Sequence, residues 1–273
     1  MWWVAPLGLV IGITLGALGG GGAILTVPIL VYLLGQSPQA ATAGSLVIVG
    51  LSSIVGLFPH QRARRVRVVE GVLFGVLGLL GSVAGSAASA FVRPEVLMSM
   101  FAVLMFAVAV LMTRNRRAQA RVQRTHEQAG TTPEKTTPLT VGALRRDRRA
   151  LLRVLLAATG VGLLTGFFGV GGGFAVVPAL VLALGFSMPT AVGTSLLVIA
   201  INSATALVSR LGAGVAIDWP LILTFSVFGA AGSLLGGRIA QRADPRTLNL
   251  AFTVLLLAVG GYVAATNVPA LFR

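Results

Sequence analysis

A glycine cluster lies in the middle of apolar sequence at Gly166-Phe-Phe-Gly-Val-Gly-Gly-Gly-Phe-Ala-Val-Val-Pro178, where an ordinary membrane helix has no need of it. It occurs twice. At a displacement of 150 residues, Gly16-Ala-Leu-Gly-Gly-Gly-Gly-Ala-Ile-Leu-Thr-Val-Pro28 matches it at Gly16, Gly19, Gly21, Gly22, Val27 and Pro28. Adjacent glycines carry a large helix penalty and permit backbone angles that other residues avoid, so each cluster predicts a broken helix. Whatever this chain does is expected to happen between the two copies.

The surrounding composition says what kind of medium holds these breaks. Of 273 residues, 56% are hydrophobic and only 10% charged, which marks an integral membrane protein. With no cysteine, disulfides and thiol chemistry are excluded. His60 and His126 lie at or beyond the ends of apolar runs and far apart, so they are expected to be interfacial or solvated, and neither a metal nor a cofactor is expected. The formal net charge of +14 does not point to nucleic acid, because 15 of the 21 Lys and Arg fall in Arg62–Arg67 and Arg114–Arg153. That is the positive-inside pattern. The start, Met1-Trp-Trp-Val-Ala-Pro, has no basic n-region and predicts no cleavable signal; Trp2 and Trp3 suit an interfacial anchor.

Residues 2–35 are apolar but too long for one crossing, which needs about 20 residues. Breaking them at Gly19–Gly22 gives helices over 2–18 and 23–35, the second bent by Pro28. A third helix over 39–57 carries Thr42, Ser45, Ser52 and Ser53 on one stripe with Val49. Such hydroxyls either bond their own backbone or line a site. After the basic loop Arg62–Arg67, helices follow over 69–91 and 95–113, and Gly71, Gly75, Gly78, Gly81 and Gly85 predict a tightly packed face on the first. Residues 114–150 are polar, contain Pro133 and Pro138, and lack the periodicity of a packed helix; they are expected to be a mobile cytoplasmic linker. Their nine arginines mark topology or touch anionic lipid.

From 162 to 207 the chain aligns without a gap to 12–57, with 17 of 46 positions identical. With one residue inserted, Gly81-Ser82-x-x-Gly85 matches Gly232-Ser233-x-x-Gly236, and Pro94-x-x-Leu97 matches Pro245-x-x-Leu248. This predicts second-half helices over 151–168, 173–185, 189–210, 217–240 and 246–266. Loop charges then orient the halves. Arg62, Arg64, Arg65 and Arg67 have only Arg210 as counterpart, whereas the offsetting pair Arg93 and Glu95 corresponds to Arg238, Arg242 and Arg246 against Asp244. Each loop type changes sides. The expected fold is an all-α polytopic membrane protein of two inverted repeats, each a glycine-broken helix pair plus three further helices. That makes about 10 membrane segments, or 8 if each broken pair is counted once. The repeats are expected at residues 1–113 and 151–273, joined by 114–150, with the linker cytoplasmic and both termini outside; the bacterial inner membrane is the setting that the family resemblance described below implies.

In such a plan the site lies where the broken helices meet. The segments from Ala23 and Gly173 onward begin helices whose free N–H groups and positive dipole ends attract an anion, and glycine lets the ligand approach them. The expected substrate-binding set is Gly19, Gly21, Gly22, Ala23, Gly169, Gly171, Gly172 and Gly173, with Thr42, Ser45, Thr194, Ser195, Asn202 and Ser203 as side-chain donors. Pro28 and Pro178 shape the breaks. Asn202 stands out as a buried carboxamide whose counterpart is Ser52. Glu70 and Asp218, near the starts of corresponding helices, either couple transport to protons or simply suit a helix N-terminus. Against all this stands pure packing, which Gly8-x-x-x-Gly12-x-x-x-Gly16 fits well.

The duplicated Gly-x-x-Gly-x-Gly-Gly-Gly/Ala-x-x-x-x-Pro pattern, with Ala191-Val-Gly-Thr-Ser-Leu196, resembles the sulfite exporter TauE/SafE family of bacterial membrane permeases. The resemblance spans nearly the whole chain outside the linker. It implies outward transport of sulfite, sulfoacetate or a related organosulfur anion, driven by an ion gradient. The first repeat departs from the second: Ala43-Gly44-Ser45 stands for Gly193-Thr194-Ser195, so a donor role for Thr194 has no twin. The competing readings are an anion channel or a non-transporting scaffold. An enzyme is disfavoured because the apolar runs hold no paired carboxylates, His/Asp set or metal-ligand spacing.

Overall fold

The computed structural model describes residues 3–89, 91–92, 94–128, 148–168, 173–211 and 218–267. Among these residues there are ten α-helices, one short π-helix and no strand. The first half contains α1 (Val4–Leu18), α2 (Gly21–Pro28), α3 (Pro38–Arg62), α4 (Val68–Ser89) and α5 (Pro94–Gln128). The second contains α6 (Arg148–Phe168), α7 (Gly173–Ala183), α8 (Met188–Leu211), α9 (Trp219–Arg242) and α10 (Pro245–Asn267). Six of them, α3, α4, α6, α8, α9 and α10, are long and apolar enough to cross a bilayer. The chain is a multi-pass membrane protein.

The breaks fall where the glycines predict. Between α1 and α2 the backbone turns at Gly19, whose φ of 66° is open to glycine at no steric cost. Pro28, with no N–H to donate, is followed by a π-helical turn over Ile29–Leu33, closed by Leu34 N–H on Ile29 O at 3.2 Å. Both short helices then end alike: Gln36 N–H reaches Leu30 O at 3.0 Å and Phe186 N–H reaches Leu180 O at 3.2 Å. Each bond passes over a left-handed glycine, Gly35 or Gly185. The 150-residue repeat is thus written into the backbone as well as the sequence.

Three expectations need correction. Helix α3 does not stop at 57 but continues through Phe58-Pro59-His60 to Arg62. A proline in the last turns forfeits a single backbone bond, and Gln241 Nε2 donates to Pro59 O at 2.8 Å, tying this extension to α9. Helix α5 continues to Gln128 rather than ending at 113, because arginine, glutamine and alanine are strong helix formers that need no apolar face to extend a helix already begun. His60 is fully buried rather than interfacial.

Contacts along the helices give their directions. Gly44, Ser52, Gly56 and Pro59 meet Ile222, Gly229, Ser233 and Gly237 in the same order, so α3 and α9 run together. Against α8 the order reverses: Gly50 meets Ser203, Gly56 meets Leu196, and His60 meets Gly193. Counterpart helices α3 and α8 therefore cross antiparallel, the relation that inverted repeats require. The halves also exchange helices, α1 lying along α9 and α4 along α6. Gly12 and Gly16 press on the backbone of Gly229 and Ser233, and Gly81 and Gly85 on that of Thr159 and Leu163, with no room for a β-carbon. These small-residue faces gain their stability from close backbone approach.

The glycine breaks turn both helix pairs into hairpins. Gly22 on α2 lies against Ile11 and Leu15 of α1, while Val4 and Leu30 share an apolar cluster with Leu221 and Ile222 at the start of α9. The α1–α2 hairpin thus begins and ends at the end of the assembly that carries Asp218. The α6–α7 hairpin does the opposite. α6 runs with α4 away from the Arg62–Arg67 loop, and α8 starts again beside that loop, where Gly193 touches Arg65. Arg238, Arg242 and Arg246 lie at this same basic end, because α9 runs with α3.

Candidate functional site

The tip of the α1–α2 hairpin meets the start of α7. Gly20 and Gly173 are in backbone contact, and a β-carbon on Gly20 would overlap the Gly173 carbonyl. Beside them, a β-carbon on Gly19 would collide with the Ser195 hydroxyl and stand 3.2 Å from Val192 O. Gly173 also lies against Ile199, midway along α8. Helices α2 and α7 therefore start side by side in the interior and run apart toward opposite ends. The first-turn N–H groups of each lack a partner within their own helix. Two like dipole ends in contact repel unless an anion sits at the junction.

Of the expected binding residues, the structure brings Gly19, Gly173 and Ser195 together. Gly21 points instead toward Leu18 and Leu255, and Gly22 toward Ile11 and Leu15. Ala23 is packed with Leu15, Val49, Leu196 and Ile199. Gly169, Gly171 and Gly172 lie outside the described residues. Ser45 and Ser195 donate to Thr42 O and Val192 O, each at 2.8 Å, a second symmetric pair. Both hydroxyls keep lone pairs but have spent their proton on the backbone. Thr194 is turned away from the junction: its Oγ1 accepts from Arg67 N–H at 3.1 Å and fixes the basic loop.

A buried polar layer surrounds the helix crossing. The hydroxyls of Ser52, Ser53, Ser203 and Ser233, and Oδ1 of Asn202, have no hydrogen-bond partner among the described residues. Their neighbours explain why. Ser52 faces Gly229, Ser203 faces Gly50, Ser233 faces Gly56, and the Asn202 amide lies near Gly78. These four side chains, Ser53 apart, sit on a glycine of the adjacent helix, which has no side chain to bond. A buried polar group left in this state costs about 1–3 kcal/mol.

Glu70 and Asp218 do not meet. Glu70 is buried in the first turn of α4 at the basic end. Asp218, exposed at the other end, caps α9 by accepting from Leu221 N–H at 3.2 Å. Sequence reasoning missed His60, whose Nε2 lies 2.8 Å from Gly16 O in the last turn of α1. It also missed Arg65, which donates from Nη1 to Ala240 O at 2.9 Å and from Nη2 to Gln241 O at 3.1 Å. Both groups satisfy carbonyls that a helix end leaves open. No local signal marks them, since their partners are distant in the chain.

Comparison with known proteins places the chain among membrane transporters. The family described as Sulfite exporter TauE/SafE matches residues 4–263. A "Probable membrane transporter protein" of Xylella fastidiosa strain Temecula1 is 32% identical over 265 residues, covering 94% of this chain and 92% of its own. The "Probable membrane transporter protein YunE" of Bacillus subtilis is 27% identical, covering 93% of each chain. One from Methanocaldococcus jannaschii, also named a "Probable membrane transporter protein", is 24% identical, again over 93% of each chain. No solved structure matches. With the match running from α1 into α10, the chain belongs to the TauE/SafE sulfite exporter family and is a membrane transporter.

Proposed function

We propose that this protein is a secondary transporter that exports a small sulfur oxyanion or organosulfonate, such as sulfite or sulfoacetate, across a bacterial inner membrane. The observation that carries the reading is the contact of Gly20 with Gly173, which sets two helix N-termini side by side with no side chain between them. An oxyanion there accepts backbone N–H bonds from both halves at once and relieves the repulsion of the two dipoles. Ser195 stands against Gly19 as the nearest polar side chain, and its hydroxyl can donate to the anion by leaving Val192 O. In this reading the basic end of the assembly is cytoplasmic and both termini are outside.

Movement is by alternating access. The backbone contact at the junction leaves no space for an anion, so this is a closed form, and the binding form needs the hairpins to separate. The unpaired groups of Ser52, Asn202, Ser203 and Ser233 support such a change. They lie where α3 crosses α8 and where α9 and α4 pack on these two helices, and a shift there gives them water or substrate as partners.

Sulfite flux into proteoliposomes tests the proposal. A flux that saturates, and is lost in Gly20→Ala while Gly160→Ala keeps it, is the expected result. A flux rising without saturation makes the protein a channel. No flux of any sulfur oxyanion leaves the glycines a packing device and the protein a scaffold.

A further inference from the structure

At the basic end, α3 and α9 diverge around a cavity of about 450 Å³. Because the two helices run in the same direction, their stripes match in level. Ile54, Phe58 and Arg62 recur every four residues on α3, and Leu234 and Arg238 do so on α9. The result is a trough with apolar walls and two guanidinium groups at one rim. Ile54 and Phe58 are more than half exposed, so the trough opens on the outer, lipid-facing surface of the helix assembly. Gln241, through its bond to Pro59 O, closes the gap between the helices at the floor.

Arg62 and Arg238 have no hydrogen-bond or ion-pair partner among the described residues. Their situation contrasts with that of Arg65 three positions on, whose guanidinium is fully engaged in capping α9. Two unengaged guanidinium groups over an apolar furrow are complementary to one ligand class in this environment. Its head must be an anion able to take planar, paired N–H donors, and its tail must be hydrocarbon. From Ile54 to Arg62 the trough runs about 12 Å along the helix, enough to seat the upper part of an acyl chain.

We propose that this trough is a binding site for one anionic phospholipid of the leaflet at the basic end. The phosphodiester lies between Arg62 and Arg238, and an acyl chain passes over Phe58, Ile54 and Leu234. The lipid would bridge α3 and α9, the two helices whose packing holds Ser52 and Ser233 on their glycines. Its presence would therefore favour the closed arrangement seen here.

The test uses the purified full-length protein, stripped of lipid in a neutral detergent, with thermal unfolding and lipid retention in native mass spectrometry as readouts. Phosphatidylglycerol is expected to raise the unfolding temperature and to remain bound as a single copy, whereas phosphatidylcholine of the same chain length does neither. Arg62→Gln with Arg238→Gln is expected to weaken phosphatidylglycerol binding about tenfold or more, as fits the removal of two cationic groups at a membrane surface. A charge-matched control, Arg114→Gln with Arg148→Gln, removes two exposed arginines of the same end and should leave binding intact. Because neither trough arginine bonds to another described residue, the variant should fold, and an unchanged unfolding temperature without lipid verifies this. Equal protection by phosphatidylcholine, equal loss in the control variant, or full protection by glycerol phosphate alone would each overturn the proposal, the last by making the site one for a free anion.

Discussion

The imidazole Nε2 of His60 lies 2.8 Å from the carbonyl oxygen of Gly16, and the two residues come from helices that cross near the tip of the first hairpin. Gly16 sits in the last turn of α1, where the glycine break at Gly19 ends the helix and leaves carbonyls without a donor. With Nε2 as the protonated nitrogen, His60 supplies the missing bond from α3. A break introduced for one purpose is thereby stabilised from outside the hairpin. His60→Ala should destabilise the protein by about 1–3 kcal/mol, through a buried unpaired carbonyl. The expected fall in unfolding temperature is about 2–4 °C per kcal/mol. His60→Gln, which keeps a donor, should recover part of it. Equal melting of both variants and wild type would show that this bond contributes nothing.

The junction glycines predict a sharp positional contrast. Gly20→Ala and Gly173→Ala place a β-carbon inside the backbone of the opposite hairpin, a clash that costs about 1–3 kcal/mol or more and pushes the helix N-termini apart. Gly160→Ala and Gly261→Ala meet nothing within 4 Å and should stay within about 0.5 kcal/mol of wild type. Transport assays on all four, normalised to folded protein, should show loss at the junction pair only.

Ser195 and Thr194 are adjacent in sequence but face different tasks. Ser195→Ala keeps the backbone bonds of α8 and removes the oxygen beside Gly19 together with its bond to Val192 O, so the unfolding temperature should change little while the KM for the transported anion rises several-fold. Thr194→Ala breaks the contact to Arg67 N–H and should lower stability by about 1 kcal/mol with little change in KM. If the two variants show the same pattern, Ser195 has no separate role at the junction.

Arg65 holds two carbonyls at the C-terminus of α9 with a forked guanidinium. Lysine carries the charge but not the fork, so Arg65→Lys should behave nearly as badly as Arg65→Ala, each costing about 1 kcal/mol. Proteolysis of the 238–246 segment in liposomes, faster in both variants than in wild type, checks this.

The directions of α3, α8 and α9 place residue 64 and residue 218 at opposite ends of the assembly. As the chain has no native cysteine, single cysteines at Arg64 and Asp218 can be labelled in intact cells without background. A membrane-impermeant maleimide should reach the second and not the first. Labelling of both, or of Arg64→Cys alone, contradicts the proposed orientation.

Much of this architecture is legible in the sequence because repetition turns weak signals into strong ones. Gly19 and Pro28 mean little singly, but their recurrence at Gly169 and Pro178 predicts a broken helix twice over, and arginine counts in the loops predict opposite orientations for the two halves. What stays hidden depends on contacts across the repeats. That α3 continues past Pro59 follows from Gln241 and Arg65 binding α3 and its loop to α9, and no local pattern near residue 57 announces it. His60 looks interfacial because its partner is a backbone carbonyl, which leaves no trace in side-chain chemistry. Thr194 reads as a site residue by its place in Gly193-Thr194-Ser195, yet the rotation of about 100° between adjacent helical residues separates facing the junction from facing a loop.

The exchange of α1 with α9 and of α4 with α6 bears on how the chain is made. When α1 leaves the ribosome its glycine-lined face has no mate, and it gains one only after about 240 residues have been synthesised. The first five helices thus wait in the bilayer as an unfinished body, completed from the far end of the polypeptide. Two separately expressed pieces, 1–128 and 129–273, should accordingly be degraded alone and rescue one another when produced together.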